Sequence, residues 1–319
     1  MSSNALAINR MMTREQKRAD FKKRLKQMWP LYLFILPTLA YIILFCYVPM
    51  YGIVIAFQDF TPVDDILGGT AAWVGWDNFI RFFKLYNFWD LFANTFLLCL
   101  FGFLIGFPIP IIVALALNSC RSKRISKVLQ TIFYAPHFIS LVVLVGMLYL
   151  LFGQMGLVNN IRTAFGLARY SFFLEADAFR PLYIFSGNWQ DFGWSAIIYL
   201  AALSGVDPAL HEAAEIDGAS RLRRVFAVDI PAIMPTISVM LILSIGNLMS
   251  VGYEKALLMQ TDANLKYSEI IATYVYKAGL VNGDYGFGTA VGLFSSIINL
   301  VLLIGANTLS RRFSENSLW

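Results

Sequence analysis

Six long apolar stretches, separated by short polar or charged segments, make up most of the chain. Each stretch contains roughly the 20 mostly apolar residues that a helix needs to cross a bilayer. They lie near residues 31–57, 91–117, 128–152, 182–203, 236–257 and 287–309. The pattern predicts an all-α, polytopic membrane protein with six transmembrane helices, and it leaves no room for a second, soluble domain.

Composition supports the same class. Hydrophobic residues make up 58% of the 319 residues and charged residues 14%, against about 45–50% and about 25% in soluble proteins. The first 30 residues are polar and basic, without the charged, apolar and small-residue layout of a cleaved signal. We therefore expect a cytoplasmic basic segment at 1–29, a six-helix domain at 30–312 and a cytoplasmic tail at 313–319.

The distribution of Lys and Arg predicts the orientation. With the N-terminus inside, 17 of the 25 basic residues fall in segments that face the cytoplasm, as the positive-inside rule requires. Both termini and the loop 204–235 are then cytoplasmic. We attribute the net charge of +5 to this topology and to contact with anionic membrane lipid, since no basic patch alternates with aromatic residues as in a nucleic-acid site.

The loop 204–235 contains the most informative segment, EAAEIDGASRLRRVFAVDIPAIMP, which begins at Glu212. Asp207 and Pro208 predict a capped helix start, and Gly218 predicts its end. A helix of about ten residues is too short to be stable alone in water, so we expect it to pack against a partner. Small and acidic residues suit that contact: Glu212, Ala213, Ala214, Glu215 and Asp217. Ser220 then caps a second short helix that carries three arginines.

The spacing in this loop resembles the signature of permease subunits in binding-protein-dependent ABC importers. That signature is Glu-Ala-Ala, three residues, Gly, nine residues, an aliphatic residue, any residue, an aliphatic residue and Pro. Here it is Glu212, Ala213, Ala214, Gly218, Val228, Ile230 and Pro231, with Val and Ile where the family usually has Ile and Leu. The resemblance implies a type I ABC importer permease fold and a coupling helix seated in a cleft of a cytoplasmic ATPase. A surface-lying amphipathic helix is the alternative.

Other segments resemble the carbohydrate-uptake members of that family. WVGWDNFIRFF with Asn94 and Thr95, and YAPHFISLVV followed by GLVNNI, are similar to sugar-importing permeases. VGYEKALLMQ, SEIIATYVYKAGL and YGFGTAVGLFSSIINLVLL resemble the subgroup that imports oligosaccharides or polysaccharide fragments, such as alginate and rhamnogalacturonan. The resemblance covers about 30–312. It implies a second, non-identical permease, two cytoplasmic ATPase subunits that bind ATP and Mg, an extracytoplasmic solute-binding protein and a carbohydrate substrate.

Several classes of chemistry find no support in the sequence. No glycine-rich phosphate loop ending in Gly-Lys-Ser/Thr is present, so the energy must come from a partner. Cys46, Cys99 and Cys120 are isolated, and His137 and His211 are too far apart to indicate a zinc site. We expect neither enzymatic activity nor a cofactor or metal in this chain. His137 either lines a pore or is a hydrogen-bonded histidine at a helix end.

Polar residues recur in the predicted fifth span at three- and four-residue spacing, on one face of a helix. They are Ser244, Asn247, Ser250, and Tyr253 or Glu254. Hydroxyl and amide groups suit sugar hydroxyls, and a tyrosine ring suits stacking on a sugar face. In the maltose-type permeases that the chain resembles, this span contributes to the sugar site, and the asparagine and the second serine fall at such positions. Packing between helices is the alternative.

The start of the predicted fourth span holds a second group of sugar-compatible residues. It comprises Asn188, Trp189, Gln190, Asp191 and Trp194, for which an aromatic belt at the interface is the alternative.

Together these features predict half of a heterodimeric pore that works by alternating access. A secondary transporter is one alternative, and it would need coupling-ion carboxylates or paired broken helices inside the bundle; the sequence shows few of these features. A membrane-embedded enzyme is the other, and it would need a convergent set of His, Asp or Cys groups, which we do not find in the sequence.

Overall fold

The structure, a computed structural model, describes residues 14–66, 69–250 and 252–313. The chain divides into two compact units, with the boundary between Val54 and Ile55. Parts of the predicted cytoplasmic segments, residues 1–13 and 314–319, lie outside the described residues.

The described part of the first unit is helical. Helix α1 runs from Arg14 to Ile42 and includes two prolines. A π-helical segment, Ile43–Tyr47, and the short helix α2, Val48–Met50, follow it. The change from basic to apolar residues near position 30 therefore occurs inside one continuous helix.

The second unit, as far as it is described, is also almost entirely helical. Its α-helices are α3 (Asp77–Phe83), α4 (Phe88–Gly106), α5 (Pro108–Asn118), α6 (Lys123–Tyr134), α7 (Leu141–Phe152), α8 (Leu157–Ala164), α9 (Ala176–Ser204), α10 (Pro208–Ile216), α11 (Arg221–Arg224), α12 (Ile230–Gly246), α13 (Tyr253–Met259), α14 (Leu265–Ser268), α15 (Ile271–Val275) and α16 (Tyr285–Phe313). Its other helical segments are the 3-10 turn Ala135–Phe138 and the π-helical segments Val225–Asp229 and Tyr276–Val281. The 3-10 segment Tyr51–Phe57 includes the boundary between the two units. Two short antiparallel strands, β1 (Gln58–Asp59) and β2 (Ala72–Trp73), pair Gln58 with Trp73.

Five helical segments among the described residues are long and apolar enough to cross a membrane. They are Met28–Phe57, Phe88–Asn118, Leu141–Ala164, Arg221–Gly246 and Tyr285–Arg311. A sixth is obtained if Asp177–Ser204 is counted together with Pro208–Ile216, from which it is bent by 74°. The predicted all-α, multi-span class is confirmed. Residues 58–87 contain the two strands and α3, and α4 begins at Phe88, in agreement with the prediction that the segment 58–90 is not itself a span.

The predicted bounds of the third span, 128–152, are wrong. Helix α6 ends at Tyr134, a 3-10 turn that contains Pro136 follows, and the Ser140 hydroxyl caps α7 by accepting a hydrogen bond from the Val143 amide. The apolar span lies instead at Leu141–Ala164. Proline has no N–H to continue the helical hydrogen-bond ladder, but the apolar composition continues across the break, so the sequence pattern alone does not reveal it.

The predicted fifth span, 236–257, is also displaced. It runs from Arg221 to Gly246, because the π-helical segment Val225–Asp229 joins α11 to α12. Asn247 caps its end, and a separate helix begins at Tyr253. The prediction of one continuous polar stripe along a single helix, from Ser244 to Tyr253 or Glu254, is therefore wrong. The helix ends at Gly246, and of these residues only Ser244 lies within it.

One hydrophobic core cluster joins the helices α5, α9 and α12. Ala114 of α5, Ala196 and Leu203 of α9, and Ile233 of α12 are all buried in it. Helix α6 also packs closely on α9, because a Cβ atom at Gly193 would lie 2.0 Å from the Phe133 carbonyl oxygen. Only glycine permits that approach.

A buried asparagine connects the segment after the fifth span to the second span. The Asn94 side-chain amide donates hydrogen bonds to the carbonyls of Lys266, at 2.8 Å, and Glu269, at 3.0 Å. Its Oδ1 accepts a hydrogen bond of 2.7 Å from Arg180 Nη2. The neighbouring Thr95 hydroxyl accepts one of 2.9 Å from the Ile271 amide. These contacts satisfy backbone groups where the chain is not regularly helical.

We predict that Asn94→Ala destabilises the protein, since it leaves two carbonyls and a guanidinium without this partner. Each unpaired buried group costs about 1–3 kcal/mol. The measurement is the midpoint of thermal unfolding of the detergent-purified protein. Asn282→Ala is the control, because that side chain is exposed. Equal midpoints for the two variants would contradict the role of Asn94.

Candidate functional sites: a docking loop and a polar cavity

The helix α10 is defined at both ends by local interactions. The Asp207 carboxylate accepts a hydrogen bond of 2.9 Å from the Ala209 amide, and Pro208 occupies the first helical position. At the other end Gly218 has a φ of +74°, and the Ala219 amide donates to the Ala214 carbonyl at 2.9 Å. The predicted start and end of this helix are therefore confirmed. No atom lies within 4 Å of a Cβ placed on Gly218, so the glycine is required for its backbone conformation alone.

Helix α10 offers an uncovered surface, which we call the docking surface and define as residues 207–218. None of the residues of α10 is buried. Glu212, Ala213, Asp217 and Gly218 are exposed and Ala214 is partly so, while the side chain of Ile216 is 87% exposed. An isolated helix of this length is marginal in water. Acidic and apolar groups side by side on such a helix indicate a surface for a partner.

Polar contacts hold the docking surface to the ends of two spans. His211 Nε2 lies 3.3 Å from Asp229 Oδ1, and the Asn118 amide donates to the same oxygen at 3.3 Å. Asp229 is buried, with 3% of its side chain exposed. Arg224 Nη1 also lies 3.0 Å from Glu215 Oε2. Helix α10 is thus connected to the end of α5 and the start of α12, a role for His211 that its sequence neighbourhood does not indicate.

A cavity of about 500 Å³, which we call the polar cavity, lies between α4, α5, α9 and α12 and has both apolar and polar lining residues. The polar ones come from α9, from the end of the fifth span and from the segment that follows it: Asn188, Asp191, Ser195, Tyr199, Ser244 and Ser250. The four residues of α9 follow one another at three- and four-residue spacing, which places them on one helical face. That spacing is visible in the sequence and would have identified Ser195 and Tyr199, which we did not predict.

Three of the predicted path residues meet at this cavity: Asn188, Ser244 and Ser250. The other four do not line it. The Asn247 amide donates to the Leu243 carbonyl of its own helix at 3.0 Å, and the Tyr253 ring stacks on Tyr276 at 5.4 Å. Glu254 lies exposed in the first turn of α13, and Trp189 is exposed on α9.

The other residues of the cluster at the start of the fourth span have structural contacts. The Gln190 amide donates to the Ile139 carbonyl at 2.7 Å. The Trp194 ring stacks on the His137 ring at 4.5 Å. His137 is therefore a hydrogen-bonded histidine in the 3-10 turn, and its Nδ1 lies 2.9 Å from Asp191 Oδ1.

The Asp191 carboxylate, which lines the cavity, has His137 and Lys255 near it. His137 contacts Asp191 directly, and the buried Lys255 donates to the Tyr183 carbonyl at 2.8 Å, with its ammonium 4.5 Å from the Tyr183 ring centre. Burial lowers the pKa of Lys255 to about 8, while the nearby Asp191 opposes that shift. The Lys255 ammonium therefore offsets part of the negative charge of Asp191.

One donor in the cavity has no partner. The Asn188 Nδ2 atom is buried without a hydrogen bond in the described structure. Gly106 makes room for this side chain, because a Cβ there would lie 2.4 Å from Asn188 Oδ1. A buried amide without a partner is costly, so Asn188 is the strongest candidate for a ligand contact.

Asn299 is a further residue that sequence reasoning missed. Its Oδ1 accepts a hydrogen bond of 3.0 Å from the Met249 amide, and its Nδ2 donates to the Ser250 hydroxyl at 3.0 Å. It thereby positions Ser250 from α16. Among the described residues, no group of three or more His, Cys, Asp or Glu side chains is arranged to hold a metal ion.

Comparison with known proteins places these features in context. Residues 106–315 match the family model described as "Binding-protein-dependent transport system inner membrane component". The chain is 43% identical to the polygalacturonan/rhamnogalacturonan transport system permease protein YteP of Bacillus subtilis (strain 168), over 99% of this chain and 98% of that protein. It is 39% identical to protein LplB of the same organism, over 91% of each.

Two solved structures also contain a chain similar to this one. A bacterial ABC transporter involved in the import of the acidic polysaccharide alginate contains a chain with a TM-score of 0.83 and 36% identity, over 92% of this chain and 99% of that one. The alginate transporter in complex with an alginate pentasaccharide-bound periplasmic protein gives a TM-score of 0.84 at 36% identity, over 93% and 99%.

Proposed function

Since the chain belongs to the family of binding-protein-dependent transport system inner membrane components, we propose that it imports oligosaccharides or polysaccharide fragments as one permease subunit of an ABC importer. It is a multi-pass membrane protein and not an enzyme. Permeases of this family carry no cofactor, and partner ATPase subunits bind the nucleotide. The observation that carries the proposal is a single chain with an exposed docking surface and a polar cavity connected through α5, α9 and α12.

The geometry supports a mechanical connection between these two sites. Helix α9 carries the cavity residues and ends at Ser204, and α10 follows after a short break. Contacts of Asp229 with His211 and Asn118 join α10 to two further helices of the cavity wall. When the ATPase subunits close, the one that holds the docking surface in its cleft displaces α10, and the displacement is transmitted to these helices. We infer that this movement drives alternating access.

The cavity suits a carbohydrate. Sugar hydroxyls need both donors and acceptors, which the amide of Asn188 and the hydroxyls of Ser195, Ser244 and Ser250 supply. The Lys255 ammonium near Asp191 offsets part of that carboxylate's negative charge, which lowers the repulsion that a uronate would meet in the cavity. We therefore propose that acidic oligosaccharides are among the substrates. Asn247, Tyr253, Glu254 and Trp189 remain predictions for a part of the path outside this cavity.

The remaining partners follow from the same proposal. A second, homologous permease subunit completes the pore, and a solute-binding protein delivers the sugar at the face opposite the docking surface. Both termini and the docking surface lie in the cytoplasm, where the ATPases are.

We predict that Asn188→Leu and Ser250→Leu reduce sugar uptake by the reconstituted complex roughly ten- to hundredfold. Each change removes a hydrogen-bonding group worth about 1–3 kcal/mol to a sugar hydroxyl and adds bulk to the path. Basal ATPase activity and the yield of assembled complex should not change. Ser296→Leu is the matched control, because this exposed hydroxyl bonds only to its own helix. Normal uptake by both variants would exclude the cavity from the substrate path.

For the docking surface we predict that Gly218→Val abolishes the stimulation of ATPase activity by the loaded binding protein, whereas Gly218→Asn retains much of it. Asparagine tolerates the left-handed conformation, while a side chain in that region costs about 1–2 kcal/mol in general and more if β-branched. Gly166→Val is the control, since Gly166 has a φ of +75° and equally open surroundings. Full stimulation in Gly218→Val would refute the docking role.

The orientation is tested by single cysteines in a chain whose native Cys46, Cys99 and Cys120 are replaced by serine. Ser3→Cys and Ser317→Cys should resist an impermeant thiol reagent added outside intact cells, and Gly69→Cys should react. The distribution of basic residues requires this pattern. The reverse pattern would invalidate both the orientation and the cytoplasmic docking surface.

A further inference from the structure

An apolar groove of about 600 Å³ runs between α5 and the segment that precedes α12. Ile112 and Ala116 form one wall, and Leu222 and Phe226 form the other. Three of these side chains are more than 60% exposed: Ile112, Leu222 and Phe226. Within the described residues, no part of the second unit fills the groove. The apolar surface of the groove does not by itself select one apolar ligand over another.

The groove adjoins a cavity of about 340 Å³, which we call the cationic cavity. Ser119, Arg221 and Val225 line both spaces, and Arg121, Arg224, His211 and Asp229 also line the cavity. Asp229, the one carboxylate in that lining, contacts His211, and Arg224 contacts Glu215. Arg121 and Arg221 have no acidic partner in the described part of the chain. The cavity is therefore positively charged where it meets the groove.

This junction lies at the ends of two helical segments that are long and apolar enough to cross a membrane. Asn118 is the last residue of the span Phe88–Asn118, and Arg221 is the first residue of the span Arg221–Gly246. Charged side chains at the ends of spans lie at the level of lipid headgroups, while apolar surface next to them faces the acyl chains. We therefore expect the cationic cavity to lie at the depth of the lipid headgroups and the groove to lie at the depth of the acyl chains.

We propose that the groove and the cationic cavity form one binding site for an anionic phospholipid. One acyl chain lies along Ile112 and Phe226, and the phosphate is bound by Arg221 and Arg121. Guanidinium groups match phosphate oxygens in a two-pronged geometry, and basic pockets between membrane helices select anionic lipids. The apolar groove accepts an acyl chain. The two arginines, which have no acidic partner among the described residues, favour a lipid with a net negative charge over a zwitterionic lipid.

The test measures lipid bound to the complete, purified transporter complex. The complex is exchanged into detergent with phosphatidylglycerol or phosphatidylcholine, and retained lipid is quantified by native mass spectrometry. The double variant Arg121→Gln plus Arg221→Gln should lose phosphatidylglycerol at least about tenfold. The control, Arg124→Gln plus Arg223→Gln, removes the same charge from arginines that line neither space, and it should retain the lipid. Ala116→Phe, which fills the groove, should also reduce retention.

Four results would overturn the proposal. Retention by the Arg121 and Arg221 double variant equal to that of its control would remove the arginines from the site. Equal retention of phosphatidylcholine and phosphatidylglycerol would remove the selectivity. Displacement by inorganic phosphate, with no effect of Ala116→Phe, would identify a phosphate site without a lipid. Loss of the second permease subunit from the complex in Ala116→Phe, with phosphatidylglycerol still bound, would identify the groove as a protein interface.

Discussion

The fold depends on satisfying backbone polar groups wherever a helix is interrupted inside the bundle. In an apolar surrounding, an unpaired N–H or C=O group is costly. Amide side chains meet this need here: Gln190 bonds to the Ile139 carbonyl, Asn299 to the Met249 amide, and Asn94 to two carbonyls of the segment after the fifth span. The interruptions that these side chains permit shape the polar cavity, because Ser250 lies just beyond one of them.

The same interruptions connect the cavity with the docking surface. A single long helix, α9, places Asn188 in the cavity, and the break after Ser204 turns α10 through 74° across the end of the bundle. The buried Asp229 then holds α10 to the start of the fifth span, whose other end carries Ser244. Rigid helices with fixed ends transmit a displacement, so no flexible element is needed between the docking surface and the polar cavity.

How well the sequence predicted each part depended on how local the determining interactions are. The docking helix was predicted correctly, because Asp207, Pro208 and Gly218 define it within a few residues. The breaks after Tyr134 and Gly246 were not predicted, because apolar residues continue past each of them and because the pairing of Asn299 with Ser250 spans 49 positions. The face of α9 that lines the cavity had a visible periodicity, but only the fold shows which residues lie opposite it.

Uptake by the purified complex in sealed vesicles tests whether ATPase closure on the docking surface moves a sugar through the cavity. The vesicles carry the ATPase side inward, with the loaded solute-binding protein outside and a labelled uronate oligosaccharide as probe. Accumulation should require ATP inside the vesicles and should be unchanged when proton and sodium gradients are collapsed. Accumulation driven by an ion gradient in the absence of ATP would contradict it and would favour a secondary transporter.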